Sequence, residues 1–229
     1  MNFMNVDEHI KEFYDYAVQN GFSKEQFFSH DNLNGFIDTS IDGYTDYPLF
    51  MYVFENDISE KILRRMMNVD YRSRLNMMAG MASDEDFNSV MMIEPPLAKK
   101  IGMKEYLKIA HPADYALLFK KQMYRQEKYE SFALNKRKEL LDDKTWYMYV
   151  FVTKKNEQRK GHGKKLMNLM LKFADEKGYR IVLETDLKDN VPMYEKFGFT
   201  VMGESVYKDE LNHYVMRRMP LSADAAEDE

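Results

Sequence analysis

The chain has no cysteine among its 229 residues, a single tryptophan and only six prolines. It also has no apolar run of the ~18 residues needed to cross a bilayer as a helix. Without cysteine there is no disulfide framework, no thiol nucleophile and no thiolate metal site. The five histidines, His9, His30, His111, His162 and His213, are scattered and form no metal-binding pair of the His-Glu-x-x-His kind, so no metal is expected. The first ten residues lack the basic end and apolar centre of a secretory leader, and the expectation is a soluble, cytoplasmic protein. No repeat or low-complexity linker divides the sequence. With 45% hydrophobic residues, the length suits one substantial core.

What is present is concentrated between Trp146 and Phe199. Trp146 to Val152, valines and aromatics with one methionine and no proline or glycine, reads as a buried strand. A basic glycine turn, Gln158-Arg-Lys-Gly-His-Gly163, follows. From Lys164 to Lys177, Leu166, Leu169, Met170, Phe173 and Ala174 form one helical stripe, with Gly178 as the stop. Ile181 to Glu184 reads as a second strand and Asn190 to Phe197 as a short helix. The whole is a βαβ unit with a phosphate-sized turn at its first junction.

The free amides and dipole of a helix start favour an anion there. Lys154, Lys155, Arg159, Lys160, Lys164 and Lys165 crowd around a single acid, Glu157, in a chain of net charge −5. The turn has neither the Gly-Lys-Ser/Thr ending of a P-loop nor the length of a dinucleotide fingerprint. Nucleic-acid binding is disfavoured by the net acidity and the single short basic patch.

Gln158-x-x-Gly161-x-Gly163 after a strand ending Val150-Phe-Val152, with Met193-Tyr-Glu-Lys-Phe-Gly-Phe199 beyond, resembles the Gcn5-related N-acetyltransferase (GNAT) superfamily. The resemblance is specific over 146–220 and looser upstream. It implies an α/β (α+β) fold with a central mixed, mostly antiparallel twisted sheet flanked by helices, here with an extra N-terminal helical segment. It further implies acetyl-CoA as co-substrate, bound by Val150, Phe151 and Val152, by the turn residues Gln158, Arg159, Lys160, Gly161, His162, Gly163 and Lys164, and by Asn190. The reaction it implies is acetyl transfer to a small-molecule amine by direct attack in a ternary complex, and it is compatible with a homodimer. A non-catalytic acyl-CoA-binding regulatory module is the alternative.

By the same resemblance, Tyr194 is the candidate acid for the leaving thiolate and a backbone N–H, most plausibly that of Val152, the oxyanion donor. The strand at 146–152 has no acid, so Glu184 or a water is expected to take the amine's proton. An Asp-Tyr-Pro-Leu-Phe segment is shared with many members, which makes Tyr44, Asp46 and Tyr47 candidate substrate contacts. One departure is Leu187, where the superfamily often has asparagine; Asn190, expected to cap the short helix, is the substitute.

The remaining expectations are coarser. Residues 1–220 form one domain, with a helical extension over 1–40 and the acetyl-CoA core over 146–199. Helices are expected over 7–20, 57–76, 97–107 and most of 114–142, the charges of the last forming a solvated face. Ser23 and Gln26 form a capping box, His30 to Ser40 is loop, and Met77–Ser83 and Phe87–Ile93 are strands. Thr200–Tyr207 and His213–Met219 pair antiparallel, and the acidic tail from 221 is disordered.

Overall fold

The computed structural model describes residues 6–98 and 120–221. The helix expected over 97–107, the start of the one from 114 and the tail beyond 221 fall largely or wholly outside them. A six-stranded mixed sheet forms the centre, in the order β1-β2-β3-β4-β6-β5. The strands are β1 (Ala79–Ala82), β2 (Ser89–Glu94), β3 (Thr145–Thr153), β4 (Arg180–Thr185), β5 (Thr200–Tyr207) and β6 (Leu211–Arg218). Only β3 and β4 run parallel; every other pairing is antiparallel.

Helices cover both faces. On one side α1 (Val6–Gln19) and α6 (His162–Lys177) bury Phe13, Trp146, Met170 and Phe173 against the sheet. On the other lie α2 (Leu33–Tyr44), α3 (Pro48–Phe54), α4 (Glu60–Arg74) and α5 (Lys121–Arg137), packed over Val90, Met92, Val150 and Val152. The last helix, α7 (Val191–Glu195), is a single turn or so before β5.

The segment expected to be loop, His30 to Ser40, is mostly helix α2. Its Asp, Asn and Gly content hides a stripe, Leu33, Phe36, Ile37 and Ile41, that is buried against the sheet and α4. Tertiary burial outweighs weak local propensity here. A Cβ on Gly43 would collide with Val152, so the glycine that weakens the helix is what lets it close on β3. The Ser23–Gln26 capping box forms, Ser23 N–H donating to Gln26 Oε1 at 2.9 Å, but it opens only a short 3-10 turn.

Two irregularities of β3 shape the centre. Its register with β2 slips between Met92 and Ile93, which pair with Val150 and Met148 and leave Tyr149 as an extra residue. On its other edge β3 pairs with β4 only from Thr145↔Arg180 to Met148↔Leu183. Beyond that point the two parallel strands have no pairing, β3 from Tyr149 and β4 from Glu184, and the sheet opens between them.

Candidate active site

The glycine turn comes first along the chain. After β3, a 3-10 turn at Lys155–Glu157 leads into Arg159 at φ 64 and Gly161 at φ 95, and α6 begins at His162. Gly161 is needed for its left-handed conformation. Gly163 is needed for space, since a Cβ there would sit 3.2 Å from both Phe151 Cζ and Thr153 Oγ1. No side chain caps the helix, so the amides of its first turn remain available to an anion.

Most cations of the cluster are already engaged. Lys155 pairs with Asp46 at 3.0 Å and Lys160 with Glu157 at 2.9 Å. Lys154 and Lys165 donate to the carbonyls of Asp86 and Ser83, both at 2.6 Å. Arg159 and Lys164 have no partner among the described residues. His162 faces Asp84 at 2.9 Å and Glu157 at 3.4 Å.

The opening between β3 and β4 continues from this turn. Lys154 N–H donates to Asn88 O at 2.9 Å and Val152 O accepts from Ser89 Oγ at 2.9 Å, so the amides of 152 and 154 face β2. By strand alternation the Phe151 amide faces the opening, where the Tyr44 hydroxyl lies beside it. The amide of Val152, the expected oxyanion donor, therefore faces β2, and the amide that faces the opening is that of Phe151.

At the end of the opening lies a cavity of about 140 Å³. β3 and β4 supply Tyr147, Tyr149, Glu184 and Thr185, and α4 supplies Asp70. From α5 come Gln126, Tyr129, Glu130 and Ala133, spaced i, i+3, i+4 and i+7 on one face. Tyr44, Tyr47, Asn190 and Tyr194 also line it. Asp46 does not: it is 73% exposed and tied to Lys155 beside the turn. Asn190 stands at the N-cap of α7, but its side chain makes no capping bond there; its Nδ2 donates to Thr185 Oγ1 at 3.1 Å.

Seven tyrosines line this cavity, and six of their hydroxyls are engaged. Tyr147 donates to Glu184 at 2.8 Å, Tyr149 to Asp70 at 2.7 Å and Tyr71 to Ser40 at 2.7 Å. Tyr47 accepts from the Asp186 N–H at 2.8 Å, and Tyr129 binds Asp186 and His213. The exception is Tyr194, 6% exposed and packed on Phe151 and Phe199, whose hydroxyl has no hydrogen-bond partner among the described residues. Burial, with Tyr44 nearby, raises its pKa, so it stays protonated at neutral pH.

The carboxylates differ in freedom. Glu184 Oε2 accepts from both Arg137 Nη1 and Tyr147 at 2.8 Å, and its other oxygen lies 3.3 Å from His213 Nε2. Asp186 is buried, which raises its pKa against the pull of His213 and Tyr129. Burial opposes charge on His213, yet hydrogen bonds to Asp186 and Glu184 outweigh it and lift its pKa to about 9. Glu130 is the loosest: its nearest cation is Arg137 at 3.9 Å, and it keeps 35% of its side-chain surface. Crowding by the cavity walls pushes its carboxyl up to about 7, Arg137 resisting and Glu184 adding to the rise.

Sequence reasoning missed Glu130 because α5 looked like a helix with a solvated charged face. Its inward face was visible only as Tyr129 and Ala133 one turn apart from Gln126, a weak signal without the cavity to receive it.

Residues 108–219 match the acetyltransferase (GNAT) domain family. The chain carries a GNAT domain. The βαβ core, the glycine turn and the opening between β3 and β4 all lie within the matched residues. Over 75 residues the chain is 41% identical to an uncharacterized N-acetyltransferase of Schizosaccharomyces pombe, a match covering 32% of this chain and 30% of that protein. The chain thus spans less than a third of that relative's length. Among solved structures, histone acetyltransferase HPA2 and related acetyltransferase from Corynebacterium glutamicum superposes with a TM-score of 0.54 at 15% identity, covering 84% of this chain and 93% of the other. Arylalkylamine N-acetyltransferase 2 of Aedes aegypti gives 0.52 at 14% identity, covering 85% and 98%. At these identities the likeness extends to the fold.

Proposed function

We propose that the protein is an acetyl-CoA-dependent N-acetyltransferase acting on a small amine in a ternary complex. The observation that carries this reading is the continuity of three features: an uncapped helix start, an outward-facing amide on an unpaired strand edge, and a cavity at the far end of the same opening. The first-turn amides of α6, with Arg159 and Lys164, receive the pyrophosphate. The acyl-pantetheine arm lies along the edge of β3, where it completes the backbone hydrogen bonding that β4 leaves unmade. The thioester oxygen accepts from the Phe151 N–H, beside which the Tyr44 hydroxyl now lies.

In this reading the amine nitrogen attacks the thioester carbon, forming the amide C–N bond as the C–S bond breaks. The Phe151 amide stabilises charge on the oxygen in the tetrahedral stage. Tyr194 delivers its proton to the departing thiolate, whose conjugate thiol has a pKa near ~8.5. The amine's proton passes to Glu130, directly or through water. Glu184, the base expected from sequence, is bound by Arg137 and Tyr147 at Oε2 and lies against His213 at Oε1, and in this reading it fixes the cavity's back wall.

Calorimetric titration with acetyl-CoA, followed by thiol release against a panel of amines, tests the proposal. Binding with amine-dependent release is expected. Binding without release from any amine would favour the regulatory alternative, and absence of binding would remove the nucleotide site.

A further inference from the structure

The cavity's charge and size restrict what the acceptor can be, and this step rests on the acetyltransferase reading above. Four carboxylates, Asp70, Glu130, Glu184 and Asp186, line it, and among the described residues no lysine, arginine or histidine does. The cations stand behind the wall: Arg74 on Asp70 and Glu94, at 2.9 and 2.6 Å, Arg137 on Glu184, and His213 on Glu184 and Asp186. Five carboxylates thus face three cations, so acidic groups outnumber basic ones around the cavity.

Free donors are few, the side chains of Gln126 and Tyr194 among the described residues. Six of the tyrosine hydroxyls are committed within the wall, so the rings present faces and edges to the cavity. The remaining hydroxyl, on Tyr194, is nine-tenths buried and aimed into the same space. At about 140 Å³ the cavity is close to the roughly 150 Å³ that holds one benzene-sized ring.

We infer that the acceptor is a small primary amine with a body about one ring in size and no anionic group, and that its carboxylate-bearing counterpart is rejected. An ammonium entering the cavity offsets the excess charge and meets ring faces suited to a cation. A carboxylate entering would lie beside Asp70 and Glu130 with no cation to receive it, and such like-charge juxtaposition costs several kcal/mol. Burial is the first cause of the raised pKa of Glu130; Glu184 and Asp70 add to it, and Arg137 and Arg74 oppose it.

The test uses matched pairs that differ only in the carboxylate: 2-phenylethylamine against phenylalanine, tyramine against tyrosine, and 1,4-diaminobutane against ornithine. Thiol release is measured for the full chain with acetyl-CoA, after binding of acetyl-CoA has been confirmed by calorimetry. The decarboxylated member of at least one pair is expected to react with kcat/KM on the order of 100-fold higher than its partner. Gln126→Arg, which puts a cation into the wall, is expected to shrink that ratio at least tenfold. Equal or faster reaction of the amino-acid members would overturn the inference while leaving the transferase reading intact. So would bound acetyl-CoA with no release from any pair, because the cavity would then be serving some other class. Failure to bind acetyl-CoA at all would instead overturn the reading beneath it.

Discussion

Tyr194 and Glu130 face one cavity from two elements far apart in sequence, and burial moves their proton affinities in the same direction with opposite uses. In the proposed reaction the raised phenol is the proton donor, and the carboxyl raised to about 7 is the proton acceptor near neutrality. Tyr194→Phe is expected to lower turnover by about 100-fold with acetyl-CoA affinity unchanged, measured by steady-state kinetics alongside calorimetry. Glu130→Gln is expected to remove the limb of the kcat/KM–pH profile that rises near 7; persistence of that limb would assign it elsewhere. The two glycines act at the other end of the opening. Gly163→Val forces a branched side chain against Phe151 and Thr153 and is expected to weaken acetyl-CoA binding by tenfold or more with little change in melting temperature.

Among the elements, β3 decides most. Its bulge at Tyr149 puts Tyr149 and Val150 on the same face, which lets the tyrosine reach Asp70 while the valines pack on α2. Its early separation from β4 leaves Phe151 N–H facing outward instead of in a ladder. Helix α5 closes the cavity, and it is held by charge as well as packing: Arg137 binds Glu184 on β4, and Tyr129 binds Asp186 and His213. Glu184→Ala would strand a buried guanidinium and a buried imidazolium together. It is expected to lower the unfolding free energy by about 3–5 kcal/mol in chemical denaturation, far more than the loss of a surface ion pair.

For the molecule as a whole, the buried network makes stability pH-dependent. His213 has a folded pKa near 9 against 6.5 unfolded, so its contribution is complete below about 6.5 and is lost as pH rises through 9. Glu130, at about 7 against 4.5 unfolded, adds a decline between those values, and Asp186 acts in the same sense. Unfolding free energy is therefore expected to fall steadily from pH 5 to 9.5, by a few kcal/mol, as measured by denaturant titration at each pH. No helix among the described residues is long and apolar enough to cross a membrane, and no group of residues among them could hold a metal ion.

The order from strand to glycine turn to helix to strand was determined by the sequence alone, because each of its signals is local. A β-branched and aromatic run, two glycines at a helix start and one apolar stripe need no distant partner to be read. The sheet's overall character and Tyr194's place followed from that unit and its resemblance to a family. Only the tertiary structure decided the rest. Helix α2 exists because β3 and α4 cover a stripe that its local composition disguises. Asp46 points away because Lys155 holds it beside the turn, and Glu130 points in because α5 is tied to the end of β4 through Arg137–Glu184 and Tyr129–Asp186, contacts between residues 47 and 57 apart. The choice of Phe151 over Val152 depends on which edge of β3 is unpaired, and strand register is a property of the pair, invisible in either strand by itself.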